Sequence, residues 1–436
     1  MFYPFLLYLS VFIFNKTWFV PDEYFQSIEL AHAVMFEYGE IVWEYKDHLR
    51  SGIWYGSFEA YFKALELTNL YSAFMVNDFP SIIIAVLFLF ALQLPARQFK
   101  GYSWLIQFSW MHYFMGPRTL VNTLEYIAYT LALKTNYFYF FVVTSCVLRP
   151  TMAVFYIPFA ARQIYGNPKS VIKWIIYAIL GVFFSTAIDS LYYKQLTSSI
   201  YNFVQFNIVQ NHSEFYGVHN TLWYVTSAIP TLLGPTTLYF ILGLVYAPKS
   251  TLLNIFIPVC CFSLIKHKEF RFIYPIMDQL LIVAKHGAIK FPNVFFKRMV
   301  ICLNIVFIVF FGFIHQRGVY DAMNFLRNES VDSLLILAPC YSFPGNAYFN
   351  SNVSIMSLRC DPPHYPSLYP NQDIFYSNPQ LMTNELTKKY STSHILKFDA
   401  LNVTISGYKL HKSFFNSFFH DDERRQGRIQ ILIKVN

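Results

Sequence analysis

His267, Lys268, Glu269 and Arg271 stand together in the stretch HKEFRF (267–272), between the apolar runs LLNIFIPVCCFSLI and IYPIMDQLLIVA. Three cationic or donor groups around one carboxylate, placed where an apolar run ends, suit the binding of a membrane-embedded phosphate at headgroup depth. Arginine offers a planar fork of donors and lysine a point charge. The plainer reading is a set of helix-end cations that snorkel to the interface. A second group lies in TWFVPDEYFQS (17–27), where Asp22 and Glu23 follow Pro21. Acids behind a proline fit the first turn of a helix, and they equally supply carboxylates for general-base work.

Further polar residues are scattered near the ends of apolar runs. Arg50 lies in HLRS (48–51). Arg118, Asn122 and Glu125 lie in GPRTLVNTLE (116–125), spaced four and three apart so that they share one helix face. Arg149 in LRPT and Asp189 in AIDSLYY complete the set, each also readable as a helix-end anchor. Polar groups inside a membrane are costly and normally face a cavity or a partner. Metal chemistry has no signature here: there is no C-x-x-C, H-x-x-x-H or D-x-D. No glycine-rich nucleotide loop is visible either.

The elements that must position these residues are membrane helices. The 436-residue chain is 55% hydrophobic, 20% aromatic and only 13% charged. Runs such as SIIIAVLFLFALQL (81–94) and VICLNIVFIVFFGFI (300–314) predict an all-α polytopic membrane protein. Spans are expected near 2–14, 81–95, 104–117, 120–133, 137–149, 152–164, 171–189, 222–247, 251–265, 272–284 and 299–315. That makes about eleven; those between 104 and 164 fall short of the roughly 20 residues of a full crossing, so broken or tilted helices are expected there. The first run reads as an uncleaved anchor.

The net charge of +8 sits in short segments between apolar runs, which argues for membrane orientation and against nucleic acid. With the N-terminus cytosolic, Arg97, Lys100, Lys134, Arg162, Lys169 and Lys285 all face the cytosol. The polar groups above then share the opposite, lumenal side. Asn211, Asn328, Asn352 and Asn402 each begin an N-x-S/T glycosylation triplet on that side. Asn15 begins one too, but too near the membrane to be a good acceptor.

Two domains follow: a membrane domain over 1–315, with a long lumenal loop of interfacial helices at 15–80, and a small lumenal α/β domain over 316–436. In the latter, VDSLLILAP (331–339), SHILKF (393–398) and RIQILIKV (428–435) read as strands. Its Cys340 and Cys360 either pair in an oxidising lumen or remain two free thiols.

HKEFRFIYP (267–275) resembles the signature of eukaryotic membrane mannosyltransferases that use dolichyl-phosphate mannose and have the GT-C fold. FVPDEYFQSIELAHAVMFEYGEIVWEYKDHLRS (19–51) narrows the resemblance to the third-mannose branch of glycosylphosphatidylinositol (GPI) synthesis, in glycosyltransferase family 22. RTLVNTLE, RPT, QFNIVQNHSEFYGVH (205–219) and LAPCYSFPGNAYFN (337–350) extend it over most of the chain. The pattern departs at Ser190 and Lys194, where the family tends to show arginine and glycine. It departs again at 218–222, where His219 is kept but a following Pro-Trp-His is not.

The resemblance implies a glycosyltransferase of the endoplasmic reticulum membrane with a lumenal active site. It would add an α1,2-linked mannose to a lipid-linked GPI precursor, with dolichyl-phosphate mannose as donor substrate and no cofactor. A β-linked donor giving an α product implies one inverting displacement. That needs a single general base, with Asp22 favoured over Glu23, and electrostatic help for a departing phosphate. His267, Lys268, Glu269 and Arg271 are the expected phosphate site. Arg50, Arg118, Asn122, Glu125, Arg149, Asp189 and His219 are the expected substrate contacts. The rivals are a sibling α-mannosyltransferase, for the fourth GPI mannose or an N-glycan precursor, and a non-catalytic transporter or lipid-binding subunit.

Overall fold

The computed structural model describes residues 16–210, 212–329, 331–362 and 371–435. The expected first span, Asn15 and Asn211 lie outside them. Two compact units result. One takes in Glu44–Gly56 and Ser81–Ile308; the other takes in the described residues up to Trp43, Ser57–Pro80 and the chain from Val309 onward. Most of the first loop thus falls in one unit with the tail.

The first unit is helical. Among the described residues, four helices are long and apolar enough to cross a membrane: Phe79–Phe99, Ser170–Tyr193, Tyr224–Gly243 and Val294–Asn328. Phe138–Leu148 and Lys249–Ser263 are apolar but shorter. Of the other expected spans among the described residues, those at 120–133 and 152–164 are short unbroken helices, Val121–Lys134 and Ala153–Gly166, and two are interrupted. The run at 104–117 is split into Trp104–Gln107 and Trp110–Met115. The run at 272–284 begins as a 3-10 turn, Phe270–Ile276, around Pro275 and becomes α-helical only at Met277–Lys290. Proline lacks an amide hydrogen and clashes with the preceding turn, so it breaks the ladder where it stands.

Two helices of this unit meet through glycines. A Cβ on Gly243 would collide with the Val283 carbonyl, and one on Gly287 with the Tyr239 carbonyl. Small residues let helix backbones approach where no hydrophobic effect drives them together. Near this contact a polar knot is buried. Tyr126 donates to Asp278 at 3.0 Å, and His112 Nδ1 lies 3.0 Å from the Tyr274 hydroxyl.

The second unit holds a five-stranded sheet: β1 Ser333–Leu337, β2 Ser354–Ser357, β3 His394–Phe398, β4 Tyr408–Ser417 and β5 Gly427–Lys434, in the order β2-β1-β3-β5-β4. β1 runs parallel to β2 and β3, with Leu335 opposite Ile395. β5 is antiparallel to β3 and β4. β1 and β3 are apolar runs because both their faces are covered. Leu335, Leu337, Phe375, Leu386 and Ile395 form the core with helices Gln372–Ser377 and Pro379–Tyr390. Cys340 and Cys360 are joined, with Cα atoms 5.8 Å apart.

The first loop is stitched to this unit by polar contacts. Trp18 N–H donates to the Gln316 carbonyl at 2.9 Å. Glu40 pairs with Arg359, and within the loop Lys16 pairs with Asp78. The buried Glu29 carboxylate accepts from the backbone N–H groups of Asn346 at 2.9 Å and Ala347 at 3.0 Å. Gly345 leaves room for that carboxylate, which a Cβ there would strike.

Candidate active site

In the helical unit, three segments deliver a continuous string of charged side chains. The first is the buried face of helix Val121–Lys134, which carries Asn122 and Glu125 one turn apart. The second is Arg149, in extended conformation where helix Phe138–Leu148 stops before Pro150. The third is the motif 267–271, where Glu269 is extended and Arg271 sits in the 3-10 turn that follows.

Arg271 holds Glu269 in a two-toothed grip, Nε to Oε2 at 2.6 Å and Nη2 to Oε1 at 2.8 Å. Its Nη1 makes a longer hydrogen bond of 3.4 Å to the Asn122 Oδ1. Asn122 Nδ2 donates to Glu125 Oε2 at 2.7 Å, and Glu125 Oε1 lies 3.3 Å from Arg149 Nε. At the other end His267 Nε2 lies 3.3 Å from Glu269 Oε1, with its Nδ1 3.2 Å from the Gly217 carbonyl. Both guanidiniums also face the Phe272 ring, Arg149 at 5.3 Å and Arg271 at 5.6 Å. Asn122, Glu125, Arg149 and Arg271 are all buried.

Burial pushes the Glu269 carboxyl up, but Arg271 and His267 outweigh it and hold the group well below the usual carboxylate range. Burial likewise pulls His267 down, and Glu269 more than restores it, so the imidazole sits above its ordinary value. The string thus alternates cation and anion, with the His267 imidazole at one end. It is a fixed frame of donors of the kind that stabilises an anion without reorganising.

Other expected residues are placed differently. The buried Lys268 ammonium donates to the backbone carbonyls of His219 at 3.1 Å and Lys266 at 3.5 Å. With the His219 N–H bonded to the Lys266 carbonyl at 3.0 Å, it clasps the 217–219 loop to the motif. Arg118 donates to the Phe114 carbonyl at 2.8 Å and lies over that ring at 4.1 Å. Asp189 is fully buried and accepts from Gly52 N–H at 2.9 Å, Ser199 N–H at 2.8 Å, Ser199 Oγ at 2.6 Å and Ser185 Oγ at 3.2 Å. These four donors make Asp189 a tie between chain segments. Arg50 pairs with Glu44 at 2.7 Å. Lys194 ends helix Ser170–Tyr193 at φ +55°, a left-handed position where glycine is at ease.

Asp22 and Glu23 belong to the sheet-bearing unit. They open the short helix Asp22–Phe25 behind Pro21, with Asp22 half-buried and Glu23 9% exposed. The Glu23 carbonyl accepts from Ser27 Oγ at 2.6 Å, which fixes the turn. Sequence reasoning missed Glu29, seven residues on. Its one signal is a lone acid inside the apolar segment SIELAHAV. Among the triplet asparagines, Asn328, Asn352 and Asn402 are exposed. Among the described residues, no three His, Cys, Asp or Glu side chains converge as a metal set would.

The sequence pattern of the Alg9-like mannosyltransferase family matches residues 2–350. The chain belongs to that family. It is therefore a glycosyltransferase, and a membrane protein by its apolar helices. GPI mannosyltransferase 3 of Candida albicans is 31% identical to it, over 97% of this chain and 96% of its own. GPI alpha-1,2-mannosyltransferase 3 of Homo sapiens is 28% identical, over 93% of this chain and 81% of its own. The fold is shared with ArnT from Cupriavidus metallidurans, solved bound to undecaprenyl phosphate. The TM-score is 0.55 at 8% identity, covering 99% of this chain and 96% of that one.

Proposed function

We propose that this mannosyltransferase adds the third, α1,2-linked mannose to a GPI precursor in the endoplasmic reticulum lumen, with dolichyl-phosphate mannose as donor. With the roughly eleven crossings read from the sequence, the motif 267–271, the first loop and the sheet would face the lumen. The observation that carries the reading is the string from His267 through Glu269, Arg271, Asn122 and Glu125 to Arg149. A transferase with a lipid-phosphate donor needs fixed cations for a phosphate that leaves as an anion, and Arg271 and Arg149, held in place by Glu269, Asn122 and Glu125, are the candidates.

In this mechanism the donor phosphate docks against Arg271 and His267. Glu269 orients both, and Asn122 and Glu125 bridge the like-charged Arg271 and Arg149. The acceptor hydroxyl attacks the anomeric carbon from the face opposite the phosphate. The bond to phosphate oxygen breaks with inversion, and the phosphate departs with its charge already matched. The hydroxyl proton passes to a carboxylate, the role that the sequence motif VPDEYF suggests for Asp22. Lys268 and Asp189 act on the frame, since their polar atoms are taken up by the backbone and by serine donors.

Purified protein incubated with synthetic dolichyl-phosphate mannose and a two-mannose GPI lipid should yield a three-mannose product that an α1,2-mannosidase trims. Transfer only to a three-mannose GPI lipid or to an N-glycan precursor would favour a sibling enzyme. No transfer by folded protein would favour a binding subunit.

A further inference from the structure

The turn between β4 and β5 carries an apolar surface that the mannosyl-transfer reading does not use. Phe418 is 58% exposed, Phe419 53% and Phe415 36%. Phe415 and Phe418 pack on each other with centroids 4.6 Å apart. Large aromatics clustered in water are unfavourable, and an exposed cluster usually marks an interaction surface.

What lies beside the cluster identifies the partner. The apolar helix Val294–Val309 continues directly into the turn Phe310–Ile314. Phe310 stacks on Phe418 at 5.8 Å and on Phe419 at 6.2 Å, with ring planes within 27° and 24°. His315 stacks on Phe419 at 4.5 Å. On the same stretch Val309 is 46% exposed and Ile314 42%. On a membrane-crossing helix, exposed apolar side chains face lipid. The phenylalanines thus continue a lipid-facing surface just where the helix ends.

The turn is also held there firmly. Gln316 N–H donates to the Asn416 carbonyl at 2.7 Å. Gly318 packs on the Phe415 carbonyl, which a Cβ would strike. Immediately beyond the phenylalanines the chain becomes His420, Asp421, Asp422, Glu423, Arg424 and Arg425, with Arg424 bonded to Asp422 at 2.8 and 2.9 Å. Apolar rings followed at once by paired charges match the gradient at a bilayer surface.

We propose that Phe418 and Phe419 form a membrane-interface anchor that seats the β4–β5 turn in the lipid headgroup region. The test uses the full-length protein in nanodiscs, one copy per disc, with Phe418→Trp and, separately, Phe419→Trp. The emission of the added tryptophan is read as the difference from the unsubstituted protein, which has seven of its own. Phosphatidylcholine brominated near the headgroup should quench the added emission, and aqueous iodide should leave it largely unchanged. Quenching by iodide without quenching by bromolipid overturns the anchor, because the rings then face water. Insensitivity to both also overturns it, because the rings are then covered by protein. The second position keeps the test open if one substitution disturbs the stack.

Discussion

Arg271 grips Glu269 through two hydrogen bonds, Nε–Oε2 at 2.6 Å and Nη2–Oε1 at 2.8 Å, although only one residue lies between them. The pair fixes the plane of the guanidinium, leaving Nη1 directed to Asn122. Arg271→Ala should cost at least about tenfold in kcat or donor KM, since a charge-assisted contact to a leaving phosphate is worth about 1.4 kcal/mol or more. Arg271→Lys should not rescue, because one ammonium cannot span both Glu269 oxygens. Steady-state kinetics at varied donor concentration on folded protein check this. Near-normal constants for Arg271→Ala would remove the assignment.

Asn122 is the uncharged link between two ion pairs. Its amide donates to Glu125 and its carbonyl accepts from Arg271. Asn122→Asp keeps the shape but places a second carboxylate against Glu125, in a site that is wholly buried. Like charges at hydrogen-bonding distance in a poorly solvated site repel strongly. The aspartate variant should therefore be less active than Asn122→Ala, by roughly tenfold if the repulsion reaches about 1.4 kcal/mol. Equal activities would mean that Asn122 only fills space.

Much of this site was legible because a charge in an apolar chain stands out. Arg271, Glu269, Glu125 and Arg149 are visible for that reason alone. The pairings were not visible, because Arg271 meets Asn122 across 149 residues. Nor was the engagement of Lys268 with main-chain carbonyls, which leave no trace in residue types. The sheet divides in the same way. β1, β3 and β5 show as Leu, Ile and Val runs. β2 is only the four residues SIMS. β4 is an edge strand whose exposed Lys409, His411 and Lys412 hide its period, as charges on edge strands do. Helices lie near the expected spans among the described residues, and prolines and short turns leave four of them long and apolar enough to cross a membrane.

Asp22 and Glu23 are neighbours in one helical turn, so their side chains diverge by about 100°. Only one can address a given hydroxyl. Glu23 is the more buried, at 9% exposure, while Asp22 is half-buried. Asp22→Asn keeps size and most hydrogen bonding but removes the base. Turnover should fall by roughly 10²–10⁴ with donor binding intact, and Glu23→Gln should do less harm. Transfer assays with radiolabelled donor, alongside donor binding, decide it. A dead Glu23→Gln beside an active Asp22→Asn would reverse the roles.

Glu29 gives the last prediction, on pH and stability. Burial pushes its carboxyl from 4.5 up to about 7, although the backbone N–H groups of Ala347, Glu40 and Asn346 pull the other way. In the unfolded chain the group titrates near its ordinary value. A raised acid pKa means that the folded state binds the proton more tightly. Its contribution is therefore fully present below about pH 4.5 and is lost as pH rises to about 7. A gap of that size is worth on the order of 3 kcal/mol. Glu29→Gln cannot titrate. Relative to the protonated wild type it costs about 1–3 kcal/mol, by turning an amide N–H toward a backbone donor, and its own stability gains no pH dependence from this position. The wild-type advantage over Glu29→Gln in thermal unfolding should thus be larger at pH 5 than at pH 8. An advantage that grows with pH would show that the three N–H donors outweigh burial and that Glu29 stays ionised throughout.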